Sequence, residues 1–500
     1  MFLSWWNQTE TKEKFIQILV FFLILGASLD LKGWLFGTPM TLAFLFMIYD
    51  CVKRKSLAVF YLPVRYWLGF AVFMGTVALA SVLQGDRPSI HMALQYVYWC
   101  LPFIVAACLG KQADIKYAAL LGAMASVVIS SSNMLYLACY MGAKGRIAAF
   151  GKNPNGYAIL LLGVLPIVFA AFQDGKIRAH KKYCVLLGIV AVLGLWSLWK
   201  TGSRGGLIGL FAGGIFTYGV LCFYGKRVKQ FLTGFTVCIA VGAFLLLAIV
   251  QGQNRGFATE TARLRMLKSS FAMWQDHKLT GVGLANWHKE YVTNYLLKDE
   301  IEAEVLQRYQ AWKKAAEQRA AAARKAAEKK KAAAQKATEQ KKTAPQNATG
   351  TKATAVKPKP QLTAAQKAEA AKKAEAKKAA AQKAAAEREA KQIASWKQAA
   401  IKHEIVAFVM PHNVIAWFFS TTGIIGGFGY LFFVCWYILL FFKIMKQSDV
   451  LWIEAVGFWI FLAITFHCMV DAGIIHKDVA RLLYLMMGLS ISYDCRTYRQ

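Results

Sequence analysis

Acidic residues are scarce in this chain of 500 residues: 27 Asp and Glu stand against 60 Lys and Arg, a formal net charge of +33. An excess of that size is the usual footprint of nucleic-acid binding. Its distribution excludes that reading. Residues 301–400 hold 24 Lys and Arg against 9 Asp and Glu, about half of the excess, and most of the rest sits in short loops between apolar runs. Cysteine is absent from 251–412, although the chain has ten. That segment therefore needs no disulfides, and without a CxxC pair there is no zinc-site spacing. The ten cysteines read as small apolar fillers. No small-residue cleavage site follows the first apolar run, 15–31, which reads as a span and not as a cleaved leader. The glycines of Gly281-Val282-Gly283 are too few and wrongly placed for a nucleotide fingerprint.

What the chain has in abundance is apolar sequence: 57% hydrophobic, 14% aromatic and a positive mean hydropathy despite a very polar middle. That is an all-α polytopic membrane protein. Runs of spanning length fall at 15–31, 34–51, 64–83, 90–109, 117–141, 155–172, 183–200, 205–223, 231–250, 413–442, 451–470 and 481–493, which predicts about twelve transmembrane helices. With both termini cytoplasmic, the inside loops hold Lys53-Arg54-Lys55, Lys111 with Lys116, Lys176 to Lys182, Lys226-Arg227 with Lys229, Lys443 with Lys446, and Arg496 with Arg499. Every inside loop is then basic, as the positive-inside rule requires. The organisation is nine spans in 1–250, one large exported loop in 251–412, and three spans in 413–500.

The middle of that loop, 302–402, is an insertion of Ala, Lys, Glu and Gln, all strong helix formers. Pairs such as Glu369 with Lys373 have i,i+4 spacing. Pro345, Gly350, Pro358 and Pro360 break the helix, giving two arms at 302–342 and 362–402. With few large apolar residues neither arm can bury a core. They read as a solvated spacer or loosely paired helices, with a basic surface able to meet anionic envelope groups.

Basic residues on outer segments run against the positive-inside rule and so need a reason. Lys144, Arg146 and Lys152 crowd one short outer loop that ends in Asn153-Pro154-Asn155, a rigid turn and helix cap. Thr201-Gly202-Ser203-Arg204-Gly205-Gly206 is an outer turn whose small residues let a ligand approach the backbone beside an arginine. Arg263 and Arg265 open a stretch in which Leu264, Leu267, Phe271 and Trp274 have the spacing of an amphipathic surface helix. Pro411-His412-Asn413 opens the tenth span, followed by Gly423, Gly426, Gly427 and Gly429, which allow a kink or close packing. Guanidinium groups match phosphate, and histidine is the natural general base near neutral pH. His467, Asp471 and His476 are secondary polar candidates whose spacing is unconvincing for a metal.

Together these motifs resemble the O-antigen ligase and polymerase superfamily of bacterial membrane glycosyltransferases. The matching pieces, in the family's order, are Arg146 with Asn153-Pro154-Asn155; Ser203-Arg204-Gly205; Arg263 ahead of Leu279-Thr280-Gly281-Val282-Gly283; and His412-Asn413 with Gly423 and Gly426. The family pattern favours Arg263 over Arg265, and it offers no role for the Ala/Lys insertion. The resemblance implies a multi-pass protein of the bacterial inner membrane with its active site facing the periplasm. It implies a glycan donor on undecaprenyl diphosphate, a lipid A–core or other glycan acceptor, and neither metal nor other cofactor. Arg146, Arg204 and Arg263, with Arg265, Asn153, Asn155 and Asn413 beside them, become the expected substrate contacts, and His412 the expected catalytic base of an inverting transfer. A polymerase, or a protein O-oligosaccharyltransferase, would use the same donor. A transporter would place charges in mid-bilayer helices and show pseudo-repeats; here the polar candidates cluster at the outer ends and no repeat is seen.

Overall fold

The structure is a computed structural model. It describes residues 9–29, 31, 33–224, 258–342, 364–407, 409–447 and 452–497, with a few helical positions between 235 and 247. All regular structure among them is helical. The expected ninth span, 231–250, lies largely outside the described residues. Eight described helices are long and apolar enough to cross a membrane. The expectation of about twelve adds to these the apolar N-terminal helix, the shorter helix Trp452–Cys468, the helix Lys477–Thr497 and the ninth span.

Two units are present. The first comprises residues 1–295 and 409–500. Its helices are α1 (Thr11–Leu29), α2 (Gly33–Arg54), α3 (Val64–Gln84), α4 (Arg87–Gly110), α5 (Lys116–Tyr140), α6 (Pro154–Ala171), α7 (Lys181–Thr201), α8 (Arg204–Tyr224) and α9 (Ala258–Asp276). The second comprises residues 296–408, with α10 (Lys298–Lys342) and α11 (Ala364–Ala407). The first unit resumes with α12 (Val414–Gln447), α13 (Trp452–Cys468) and α14 (Lys477–Thr497). Prolines mark the irregularities inside spans. The α4 span is interrupted at Cys100, ahead of Pro102, and α6 at Gly163–Val164, ahead of Pro166. Each proline lacks the N–H a continuous helix would need.

Packing in the first unit relies on small residues, as expected where lipid removes the hydrophobic drive between helices. α8 lies along α13. A Cβ on Gly209 would meet the Ala463 carbonyl oxygen at 2.4 Å, and one on Gly213 would meet the Ala463 nitrogen at 2.8 Å. α14 runs along the second half of α4, where a Cβ on Gly488 would meet the Phe103 oxygen at 2.3 Å. α12 runs along α3, with Phe73, Phe418, Tyr430 and Phe433 forming an aromatic core between them.

In the second unit α10 and α11 pair as an antiparallel hairpin. The sequence, poor in large apolar residues, suggested loose pairing. The structure locates a small cluster: Tyr309 and Trp312 meet Trp396, with ring centroids 5.5 and 5.9 Å apart, above buried Ile301 and Val305. Lys313–Glu389 and Lys397–Glu302 flank it, each at 2.7 Å. Beyond Lys313 and Glu389 the described side chains are almost all exposed, so alanine and i,i+4 pairs such as Glu369–Lys373 at 3.0 Å carry the helices there. The arms begin four residues before the expected 302 and end five after 402.

Candidate functional site

The site is built where α6, α8, α9 and α12 begin and α13 ends. Asn413 fixes the start of α12. Its Oδ1 accepts from the Ala416 N–H at 2.9 Å, and its Nδ2 donates to the Met469 carbonyl at 2.9 Å. The first bond is an N-cap; the second ties α12 to the turn after α13. His412, the residue before that cap, is thereby set beside that turn. Its Nδ1 lies 3.1 Å from Asp471 Oδ1. With Nδ1 turned to the carboxylate, Nε2 is the ring nitrogen left to exchange a proton.

Burial alone would raise the Asp471 carboxyl. The His412 hydrogen bond outweighs it, together with the positive fields of His412, His467 and Arg263, and holds the group down at about 2. Asp471 is therefore a carboxylate at neutral pH. Burial lowers the neighbouring His476, with Asp471 opposing.

Arg263 lies in the first turns of α9, and its charge is felt by both Asp471 and His467. Its Nε is buried without a hydrogen-bond partner among the described residues. Arg265 is placed differently. Two residues round a helix is roughly 200°, and Arg265 is buried on another face together with Met266, Ser269 and Ser270. The structure does not bring it into the His412 group. Leu264, Leu267 and Phe271 face outward, as the amphipathic reading expected. Trp274 instead packs edge-on against Phe419, 5.5 Å away.

The turn between α7 and α8 approaches from the other side. Gly202 closes α7 in the left-handed region, and Thr201 Oγ1 accepts from the Ser203 N–H at 3.1 Å. Ser203 Oγ accepts from the Gly206 N–H at 3.2 Å and stands 3.3 Å from His467 Nε2. A Cβ on Gly205 would meet Val470 at 2.5 Å, so glycine lets the first turn of α8 press against the end of α13. Arg204 is thus held at the start of α8, between Ser203 and Gly205, which both approach His467. Arg146 donates from Nε to the Thr201 carbonyl at 2.7 Å and from Nη2 to Asn155 Oδ1, while the Ile147 N–H donates to the Lys200 carbonyl at 3.0 Å. Asn153 caps α6 by accepting from the Asn155 N–H at 2.9 Å, with Pro154 as the first helical residue. Arg146, Asn153, Asn155, Arg204, Arg263, His412 and Asn413 therefore join one contiguous group, bridged by Thr201, Ser203, His467 and Asp471.

A strap holds this group in register. Inside α12 the helix breaks at Gly423, at φ 61° and ψ −158°. A continuous helix would bond the N–H groups of Ile424 and Ile425 to the carbonyls of Ser420 and Thr421. Here Ile424 and Ile425 donate instead to Lys278 and Leu279, at 2.8 and 3.4 Å. Ser420 and Thr421 accept instead from Val282 and Gly283, at 2.8 and 2.9 Å. Two helical bonds are exchanged for four bonds to 278–283, the segment that follows α9. A Cβ on Gly281 would meet the Thr421 carbonyl carbon at 2.3 Å, and Gly281 itself has φ +67°. The strap's outer side is gripped by the α3–α4 turn: Gln84 Nε2 donates to the Gly281 carbonyl at 3.3 Å, the Ala285 N–H to Ser89 Oγ at 3.2 Å, and Asn286 Nδ2 to Asp86 Oδ2 at 3.2 Å.

Sequence reasoning underweighted Asp471 and missed Gln84, Asp86 and Ser89. Asp86 has a local signal: it caps α4 ahead of Arg87-Pro88. Its second partner, Asn286, is 200 positions away and has none.

Residues 189–312 match the family model described as O-antigen ligase. That segment is similar to the O-antigen ligase family. The match runs from the second half of α7 through α8, α9 and the strap into the start of α10, and it supports the O-antigen ligase and polymerase superfamily. The general function is accordingly of O-antigen ligase and polymerase type, that of a glycosyltransferase-like enzyme in a multi-pass membrane protein. His412 and Asp471 lie beyond the matched segment and join it through the strap and Arg263. No curated protein matches the chain.

Proposed function

We propose that this protein transfers a glycan from undecaprenyl diphosphate to a sugar hydroxyl of lipid A–core, at the periplasmic face of the bacterial inner membrane, as an O-antigen ligase. One observation carries the reading: His412, backed by ionised Asp471, stands in one group with Arg146, Arg204 and Arg263. The electrostatics support an anionic ligand. Helix N-termini are positive and ordinarily gather acids. The first turns of α6, α8 and α12 hold none, and Arg204 opens α8. Arginines at positive helix ends suit a phosphate-bearing ligand.

The step follows from these groups. The acceptor hydroxyl gives its proton to His412 Nε2 while its oxygen forms a bond to the anomeric carbon of the donor. The bond from that carbon to the diphosphate oxygen breaks, and its electron pair leaves with undecaprenyl diphosphate. Direct displacement inverts the anomeric centre. Asp471 holds the imidazole in orientation and stabilises the imidazolium that forms. The arginines balance the charge that grows on the leaving diphosphate. No activating metal is needed for this step, because the diphosphate is already a competent leaving group. The Ala/Lys hairpin is an accessory to this chemistry.

The test is transfer by purified protein in lipid nanodiscs, with lipid-linked glycan and lipid A–core as substrates. His412→Ala is expected to abolish transfer, and full activity in that variant would remove the base assignment. A polymerase acting on the same donor is told apart in cells. Loss of a ligase leaves long polymer on undecaprenyl diphosphate, whereas loss of a polymerase leaves single repeat units.

A further inference from the structure

One cation at the edge of an expected span stands outside the group around His412. Arg481 lies in the second turn of α14, the helix that follows Asp471 and His476. It is half-buried. Its guanidinium carbon stands 5.6 Å from the ring centroid of Phe36 on α2 and 5.7 Å from that of Tyr98 on α4. It makes no hydrogen bond or ion pair among the described residues. An arginine placed there is costly unless a partner or water satisfies it. The two rings attract the cation but accept little from its five N–H donors, so acceptor oxygens have to come from outside the protein.

The surroundings narrow what supplies them. Phe36 is buried, whereas Tyr98 is 58% exposed and Trp34, two residues before Phe36, is 65% exposed. A cation with aromatic neighbours on a lipid-facing boundary suits the anionic headgroup of an amphiphile. The site is also set apart by element. Arg146, Arg204 and Arg263 belong to the α6, α8 and α9 side, while Arg481 belongs to the α2, α4 and α14 side. A transfer between two lipid-anchored substrates brings two phosphorylated headgroups to one histidine. Mutual repulsion favours separate cation sites for them.

We propose that Arg481, framed by Phe36 and Tyr98, binds a phosphate of the lipid-anchored acceptor. This rests on the glycosyl-transfer reading above and adds the acceptor's recognition group. Arg481 is then a specificity-determining residue that touches substrate away from the reacting atoms.

The experiment uses full-length protein in nanodiscs, lipid A–core that is intact or stripped of its phosphates, and native mass spectrometry of acceptor retention beside transfer kinetics. Arg481→Gln is expected to weaken retention of intact acceptor and raise its KM by about tenfold, the loss of one charge-assisted contact, with donor KM and kcat unchanged. Removing the acceptor's phosphates is expected to cause the same loss in the unsubstituted protein, and Arg481→Gln then adds nothing. Arg481→Lys keeps the charge without the fork and is expected to fall between, which also serves if the glutamine variant does not fold. An unchanged acceptor KM, an equal rise in donor KM, or equal impairment with both acceptor forms overturns the proposal. So does phosphatidylglycerol that is held by Arg481 and not displaced by acceptor, because the site then belongs to a bulk lipid headgroup. Retention is read without turnover, so failure of His412 as the base leaves this result interpretable.

Discussion

Replacing Gly423 with alanine attacks the strap at the point where α12 breaks. The backbone there, φ 61° and ψ −158°, is in a region reserved for glycine, and forcing a side chain into it costs roughly 1–3 kcal/mol. The added Cβ would meet the Leu279 oxygen at 2.2 Å, its carbonyl carbon at 2.3 Å and the Thr280 nitrogen at 2.6 Å. All three are backbone atoms, so no rotamer change relieves the clash. The strap has to move, and the bonds from Ile424 to Lys278 and from Ile425 to Leu279 are the first to go. At roughly 0.5–1.5 kcal/mol each these add to the strain, for a total of roughly 2–6 kcal/mol. Hydrogen exchange is the direct assay. Local opening made easier by that amount speeds exchange at the amides of Val282, Gly283, Ile424 and Ile425 by roughly 30-fold or more, at about 1.4 kcal/mol per factor of ten. Transfer activity is expected to fall with it, since the strap sets α9, which bears Arg263, against α12, which follows His412. Gly75→Ala on α3, where a Cβ meets nothing within 4 Å, is the control. Unchanged exchange of 278–286 and 420–426 in Gly423→Ala would refute the reasoning.

Four further outcomes are expected. Asp471→Asn keeps the shape of the pair but removes the carboxylate, and transfer is expected to drop roughly 100-fold with little change in substrate KM. Because the Asp471 carboxyl titrates at about 2, below its ordinary value near 3.9, its stabilisation is present above about pH 4 and lost as pH falls toward 2. Thermal melting of the native protein should therefore weaken more across that window than melting of Asp471→Asn. Arg263→Gln is expected to raise donor KM about tenfold with the fold intact, whereas Arg265→Gln, at a buried site, lowers the melting temperature more than it alters KM; the reverse pattern would reassign the two. Deleting 302–402 is expected to leave transfer in vitro intact, and loss of activity from a folded deletion protein would make the hairpin part of the catalytic unit.

The helices were legible because apolar runs of spanning length and Ala/Lys tracts are strong local signals. The caps at Asn153, Asp86 and Asn413 were local too, and the first and last of them were read as helix starts. What stayed hidden is what distant residues do to one another. Asp471 looked like a polar residue at a span end until α12 brought His412 against it. Gly423 suggested a kink, but nothing in sequence says that the kink's open bonds are filled by Lys278 to Gly283. The family pattern favoured Arg263 over Arg265, but the physical reason lay in the azimuth of α9, along which Arg263's charge is felt at Asp471 while Arg265 is buried on another face. The hairpin's pairing depended on three rings, Tyr309, Trp312 and Trp396, that composition alone dilutes among alanines.

The exchanged bonds at Gly423 also bear on how an excursion such as the Ala/Lys hairpin is tolerated between Arg263 and His412. The chain leaves the body after the strap and returns at Asn413, and both departure points are fastened to α12 by backbone bonds within the body. Whatever lies between them is a closed loop, whose entropic cost rises only with the logarithm of its length, about 0.6 kcal/mol for each doubling. Shortening or lengthening the Ala/Lys hairpin therefore leaves the span from Arg263 to His412 unaltered. A segment free to change length on these terms can be gained, lost or exchanged without the chemistry being rebuilt.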